Sequence, residues 1–141
     1  MDKGLLKIMS DVKDWIKNCE GLRLHPYLDT VEKVTIAWGR NLENGISIDE
    51  AEFMFENDFN RTVKELSQYS WYLNQPQHVK DALINMNFNL GIHRLLGFKK
   101  MIMALIEKDY TTAAMEALDS KWAIQVGQRA KDIALMIRQG A

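Results

Sequence analysis

Two carboxyl groups and a hydroxyl fall close together in the stretch NCEGLRLHPYLDTVEKVTIAWGRN, residues 18 to 41: Glu20, Asp29 nine positions on, and Thr35 six beyond that. Acids of this kind suit hydrolysis of a glycosidic bond. One carboxyl must be protonated, to give its proton to the leaving oxygen, and the other ionised, to activate water or to attack. Glu20 has apolar neighbours in Cys19 and Leu22 and is suited to the donor role if those flanks exclude water. Asp29 lies in a polar segment, where an ionised group is at home. Spacing alone leaves the structural reading open, because a chain with 19 acidic residues holds many such pairs.

The elements that would position these groups can be read from periodicity. Leu5, Ile8, Met9, Val12, Trp15, Ile16 and Cys19 recur every three or four residues, which predicts an amphipathic helix over 3–19, stopped at Glu20-Gly21. The period then changes. Leu24, Pro26 and Leu28, followed by Val34, Ile36 and Trp38, alternate as strands do around a polar turn at 30–33, so a small antiparallel hairpin or three-stranded sheet is expected within 23–46. Ser47 and Glu50 form a capping box and open a long helix over about 48–67. Pro76 suits the start of a central core helix that runs to Gly91. Further helices are expected near 99–107, 110–118 and 128–138, with a turn or short helix in SKWAIQVGQR.

The fold class expected is α+β, mainly α: one domain with a small β-containing lobe at about 20–60 and a larger helical lobe at about 61–141, to which the N-terminal helix returns. Such an arrangement leaves a cleft. Its 141 residues suffice to bury a core without metals or disulfides.

Composition narrows the function classes. A formal net charge of -1 gives no global field toward nucleic acid or an anionic membrane. Basic residues lean toward the C-terminal half and acidic ones toward residues 49–58, a skew that solvated helix faces explain. One cysteine excludes an internal disulfide framework, and Cys19, in an apolar helical row, reads as a buried thiol. His25, His78 and His93 have no metal-ligand spacing, so no metal site is expected. The N-terminal segment has neither a secretory apolar run nor a membrane span, which implies synthesis and retention in a cytoplasm.

EGLRLHPYLDTVEKVTIAWGR resembles the E-G-x-R-L-x-x-Y-x-D-x-x-G-x-x-T-I-G-x-G-H pattern of phage lysozymes of the T4 type, matching at Glu20, Gly21, Arg23, Leu24, Tyr27, Asp29, Thr35, Ile36 and Gly39. The likeness continues in ISIDEAEFMFENDF, INMNFNLGIHRLLGF and SKWAIQVGQRAKDIALMIRQG. It implies a two-lobed muramidase that cleaves peptidoglycan between N-acetylmuramic acid and N-acetylglucosamine without a cofactor. Carried over by position, Glu20 becomes the general acid, Asp29 the residue that orients or activates water, and Thr35 a hydroxyl that helps hold it. Inversion is then expected, with a carboxyl separation of about 6.5–9.5 Å. Asn85, Asn89 and Lys121 match cleft-lining positions, with Trp122 beside Lys121 reading as core. Arg129 matches an arginine that pairs with the catalytic glutamate. The resemblance further implies a monomeric endolysin waiting in the host cytoplasm for a holin-type pore, with glycan strands as its partner. A lytic transglycosylase and a non-catalytic glycan-binding module are the alternatives; Asp29 and Thr35 argue against the first, and retention of Glu20, Asp29 and Thr35 together against the second.

Departures from the pattern carry their own expectations. Glu32 and Ala37 stand where glycines are common, so the hairpin tip must differ or hold a side chain at a strained angle. Val31 replaces a sugar-facing polar residue. Trp38, in a strand row, reads as packing. Arg40 replaces a histidine whose partner corresponds to Asp58, and an Arg40 to Asp58 ion pair is the expected substitute.

Overall fold

A computed structural model of the chain describes residues 3–140, with side chains over 11–140. Two compact units form, Met1–Ala51 and Glu52–Ala141.

In the first unit, α1 (Lys3–Glu20) ends where the N–H of Gly21 bonds the carbonyl of Lys17 at 2.8 Å. Three antiparallel strands follow in the order β1-β2-β3: β1 (Arg23–Leu28), β2 (Val34–Ala37) and β3 (Arg40–Asn41). Leu28 faces Val34, Tyr27 faces Thr35 and Arg23 faces Ala37, with the register shifting between Arg23 and Tyr27. That irregular stretch contains Pro26, which has no N–H to give a ladder.

The turn between β1 and β2 is a three-residue loop. Asp29 N–H bonds the Lys33 carbonyl and Glu32 N–H bonds the Asp29 carbonyl, both at 3.0 Å, and Glu32 takes the left-handed conformation (φ 62) that closes such loops. A side chain stands at the expected strained position. Ala37 does the same at the end of β2 (φ 59).

The capping box forms as the sequence predicts: Glu50 N–H donates to Ser47 Oγ and Ser47 N–H donates to Glu50 Oε1, each at 3.1 Å. It opens α2 (Ile48–Leu66), which carries the chain into the second unit. There follow α3 (Ser70–Leu73), α4 (Gln77–Leu90), α5 (Ile92–Leu96), α6 (Lys99–Ile106), α7 (Tyr110–Leu118), α8 (Lys121–Val126) and α9 (Gln128–Arg138). The fold is mainly α with a small antiparallel sheet. The short α3 and α5 were not legible, because four and five residues are too few to show a helical period.

α4 is the central element of the second unit, packed against α3, α5 and α9, while α7 lies on α6 and α9. Leu66, Val79, Leu83, Met86, Leu95, Met101, Leu105 and Ile137 are wholly buried there. Buried Gln75 is satisfied by three partners: its Nε2 donates to the carbonyls of Trp71 and Leu105, and its Oε1 accepts from the Tyr110 hydroxyl. Among the described residues no helix is long and apolar enough to cross a membrane.

Candidate active site

Glu20 is the last residue of α1, and its carboxyl lies against the turn that joins β2 to β3. A Cβ on Gly39 would stand 2.3 Å from Glu20 Oε2 and 2.9 Å from its carboxyl carbon. Only glycine leaves that space, and only glycine takes φ 76 there freely. Glu20 is solvent-exposed, so its apolar flanks do not enclose it. Cys19 is exposed as well, a correction to the buried thiol expected from its helical row. The turn folds back onto Glu20, one position later, and leaves the thiol uncovered.

Asp29 is tied into the hairpin by one oxygen. Its Oδ1 accepts from Val31 N–H at 2.9 Å and from Lys33 N–H at 2.8 Å, a local Asx-type bridge across the loop. Those bonds fix the side chain and leave Oδ2 to act. Thr35, opposite Tyr27 on β2, is 3 % exposed, and its hydroxyl donates to the Lys33 carbonyl at 2.8 Å. With its hydrogen committed, that oxygen can only accept. Lys33 therefore links the two residues: its amide holds the acid and its carbonyl holds the alcohol.

The cations around this group take other partners. Within the first unit Arg40 pairs with Glu50, and within the second Asp58 Oδ1 is met by Arg61 Nη2 at 3.2 Å. The reason is local. The capping box fixes Glu50 through Oε1 and presents Oε2 to Arg40. The Ser47 amide, and then Arg40, hold the Glu50 carboxyl below the usual carboxylate range. Lys17 Nζ lies 4.4 Å from the centre of the Trp38 ring, and the Arg23 guanidinium lies 4.4 Å from that of Tyr27. Trp38 belongs to the turn after β2, not to a strand row.

Within the second unit, Arg129 Nε donates to Asn85 Oδ1 at 2.8 Å, and Nη2 reaches the Asn85 carbonyl at 3.4 Å. Both residues border a cavity of about 410 Å³ with Phe55, Phe59 and Phe88. Asn89 Oδ1 accepts from Trp122 Nε1 at 2.8 Å, leaving its amide N–H groups outward, while Trp122 is core as expected. Lys121 borders a second cavity, of about 550 Å³, that Trp122 and Phe98 also line. The structure thus joins Glu20, Asp29 and Thr35 to one small sheet, Asn85 to Arg129, and Asn89 to Trp122.

Several participants escaped the sequence reading. Gly39 was visible as a motif glycine, but its contact with Glu20 was not. Asn87 lies inside an apolar run yet is 2 % exposed; its Nδ2 donates to the Thr62 carbonyl at 3.2 Å, and its Oδ1 is buried without a partner. An asparagine in so apolar a run, INMNFNLG, was the available signal. Among the described residues no cluster of His, Cys, Asp and Glu could hold a metal ion.

The family model described as "Phage lysozyme" matches residues 17–141. The chain is 28% identical to "Probable T4-type lysozyme 1" of Dictyostelium discoideum, over 94% of this chain and 96% of that protein, and 27% identical to "Probable T4-type lysozyme 2" of the same organism over the same shares. It is 24% identical to the "Pre-baseplate central spike protein Gp5" of Enterobacteria phage T4, over 99% of this chain and 30% of that protein.

Proposed function

The chain belongs to the phage lysozyme family and is a lysozyme-type peptidoglycan hydrolase, and from that membership we propose that it cleaves the β-1,4 bond between N-acetylmuramic acid and N-acetylglucosamine with inversion. Glu20 gives its proton to the glycosidic oxygen as the bond to the anomeric carbon breaks. A water attacks that carbon from the opposite face and yields its proton to Asp29, while Thr35 accepts a hydrogen from the water and orients it. Solvent then returns a proton to Glu20 and removes one from Asp29.

The observation that carries this reading is the unequal treatment of the two acids. Asp29 is immobilised through Oδ1 by two backbone amides, which leave Oδ2 unbonded. The Glu20 carboxyl is held by no such bond within its own unit and faces a bare glycine, Gly39. One carboxyl is fixed in direction by the hairpin amides, and the other is seated against the turn by packing alone. The enzyme acts as a monomer and needs no cofactor. In a lytic setting it waits in the host cytoplasm and reaches the wall through a holin-type pore. The likeness to Gp5, of which the chain matches 30%, favours a second setting, in which the same hydrolase is one domain of a virion protein.

Turbidity clearing of cells stripped of their outer membrane tests the chemistry. The wild-type protein should clear them, and Glu20→Gln should be slower by about 10²–10⁴-fold with an unchanged melting temperature. Mass spectrometry of the products should find a reducing muramic acid. Equal clearing by Glu20→Gln would remove Glu20 from the proton-donor role, and an anhydro product would assign a transglycosylase.

A further inference from the structure

Six charged side chains line the cavity of about 550 Å³ that Trp122 borders: Arg94 on α5, Lys99 and Lys100 on α6, Lys121 on α8, Glu116 on α7 and Asp119 just after it. All belong to the second unit. Among the described residues no ion pair joins any of these cations to either acid. Helix stability does not account for them. Lys99 and Lys100 stand in the first turn of α6, the positive end of its dipole, and Glu116 and Asp119 stand at the negative end of α7. Each pair is repelled by the helix end that carries it. Four cations and two carboxylates on the wall of one cavity, not neutralised by one another, complement a ligand that bears both signs.

We propose that this cavity binds the stem peptide of peptidoglycan and selects glycan strands on which that peptide is not cross-linked. The choice of ligand rests on the hydrolase reading. A stem peptide carries free carboxylates, which suit Arg94, Lys99, Lys100 and Lys121, and its diamino residue carries an ammonium, which suits Glu116 and Asp119. Cross-linking turns that amine into an amide and removes its charge. The cations therefore hold either form of the peptide, and the two acids tell the forms apart. The volume lies within the span of about 300–1,000 Å³ usual for pockets that take small ligands. Trp122, one wall of the cavity, bonds Asn89, which matches a cleft-lining position, so the cavity adjoins the path expected for the sugar that bears the peptide.

Binding of free peptides to the full chain, followed by NMR at low ionic strength, tests this with a probe that contains no glycosidic bond. A synthetic stem tetrapeptide with a free amine on its diamino residue should saturate the wild-type protein and shift the amide signals of residues around the cavity. The same peptide acetylated on that amine, which mimics the cross-link, should bind about 3–10-fold more weakly. In Glu116→Gln/Asp119→Asn that difference should vanish. In Lys99→Ser/Lys100→Ser both peptides should weaken and the difference should remain. Equal binding of the two peptides by the wild-type protein, a result that depends on no variant, overturns the proposal. So does a difference that persists without the two acids, or signal changes confined to another part of the molecule. If the protein clears walls but binds no peptide, this proposal fails and the hydrolase reading stands. If it binds and distinguishes the peptides but clears no wall, the hydrolase reading fails and the cavity keeps its ligand.

Discussion

In Glu52–Ala141 the side chains of Leu66, Leu83, Leu95, Met101, Leu105 and Ile137 have no accessible surface, whereas among the described side chains of Met1–Ala51 the buried one is Thr35. The second unit is held by packed apolar volume. The first is held by specific local bonds: the Asp29 bridge, the Ser47–Glu50 box, the Arg40–Glu50 pair and two cations over aromatic rings. Glu20, Asp29 and Thr35 all belong to the second kind of construction. Directional bonds aim side chains, and apolar burial does not, so a unit built from them suits a site whose few groups must point in fixed directions.

The contrast can be broken first at Asp29. Asp29→Asn keeps an oxygen to accept from the Val31 and Lys33 amides but removes the charge, so turnover should fall by about 10²–10⁴-fold while urea unfolding stays close to wild type. Leu83→Ala is the reciprocal case: it empties a wholly buried position, should cost about 2–5 kcal/mol in denaturant unfolding, and should leave turnover intact at temperatures where the protein remains folded. A Leu83→Ala protein that is stable but inactive would show that the core does more than support.

Gly39→Ala sharpens the comparison within the first unit. The added methyl falls on the Glu20 carboxyl and should lower turnover by about 10–100-fold, equivalent to roughly 1–3 kcal/mol of activation free energy, with a small change in stability. Glu32→Gly and Ala37→Gly act in the opposite sense. Each relieves a left-handed non-glycine residue and should raise stability by about 0.5–1 kcal/mol, measured by urea titration.

The smallest effects are in acid. Glu50 and Asp109 each serve a helix start, one per unit, and both carboxyls are held below their ordinary values of 4.5 and 3.8. In Asp109 the Thr112 hydroxyl is the main cause and the Thr112 amide the next. A lowered folded value means that the stabilisation is full above the ordinary value and is lost as pH falls through the folded one. Melting temperature should therefore decline below about pH 4.5, less steeply in Glu50→Gln and in Asp109→Asn than in the wild type.

Residue order by itself determined the local structure and the candidate acids. Periodicity placed α1, α2, α4, α6, α7 and α9, because an amphipathic helix writes its buried face into the chain every three or four residues. Ser47 and Glu50 wrote the capping box in the same way. The motif from Glu20 to Gly39 named the three candidate catalytic residues and flagged Glu32 and Ala37 as odd, and the structure gives both a positive φ. What needed three dimensions was the choice among partners. Arg40 could meet Glu43, Asp49 or Glu50, and Lys17 either Glu20 or Trp38; sequence spacing offers these options, and only the fold brings Glu50 to Arg40 and Trp38 to Lys17. Electrostatic pairing falls steeply with distance, so these choices turn on a few ångströms, which tertiary structure fixes and the order of residues does not.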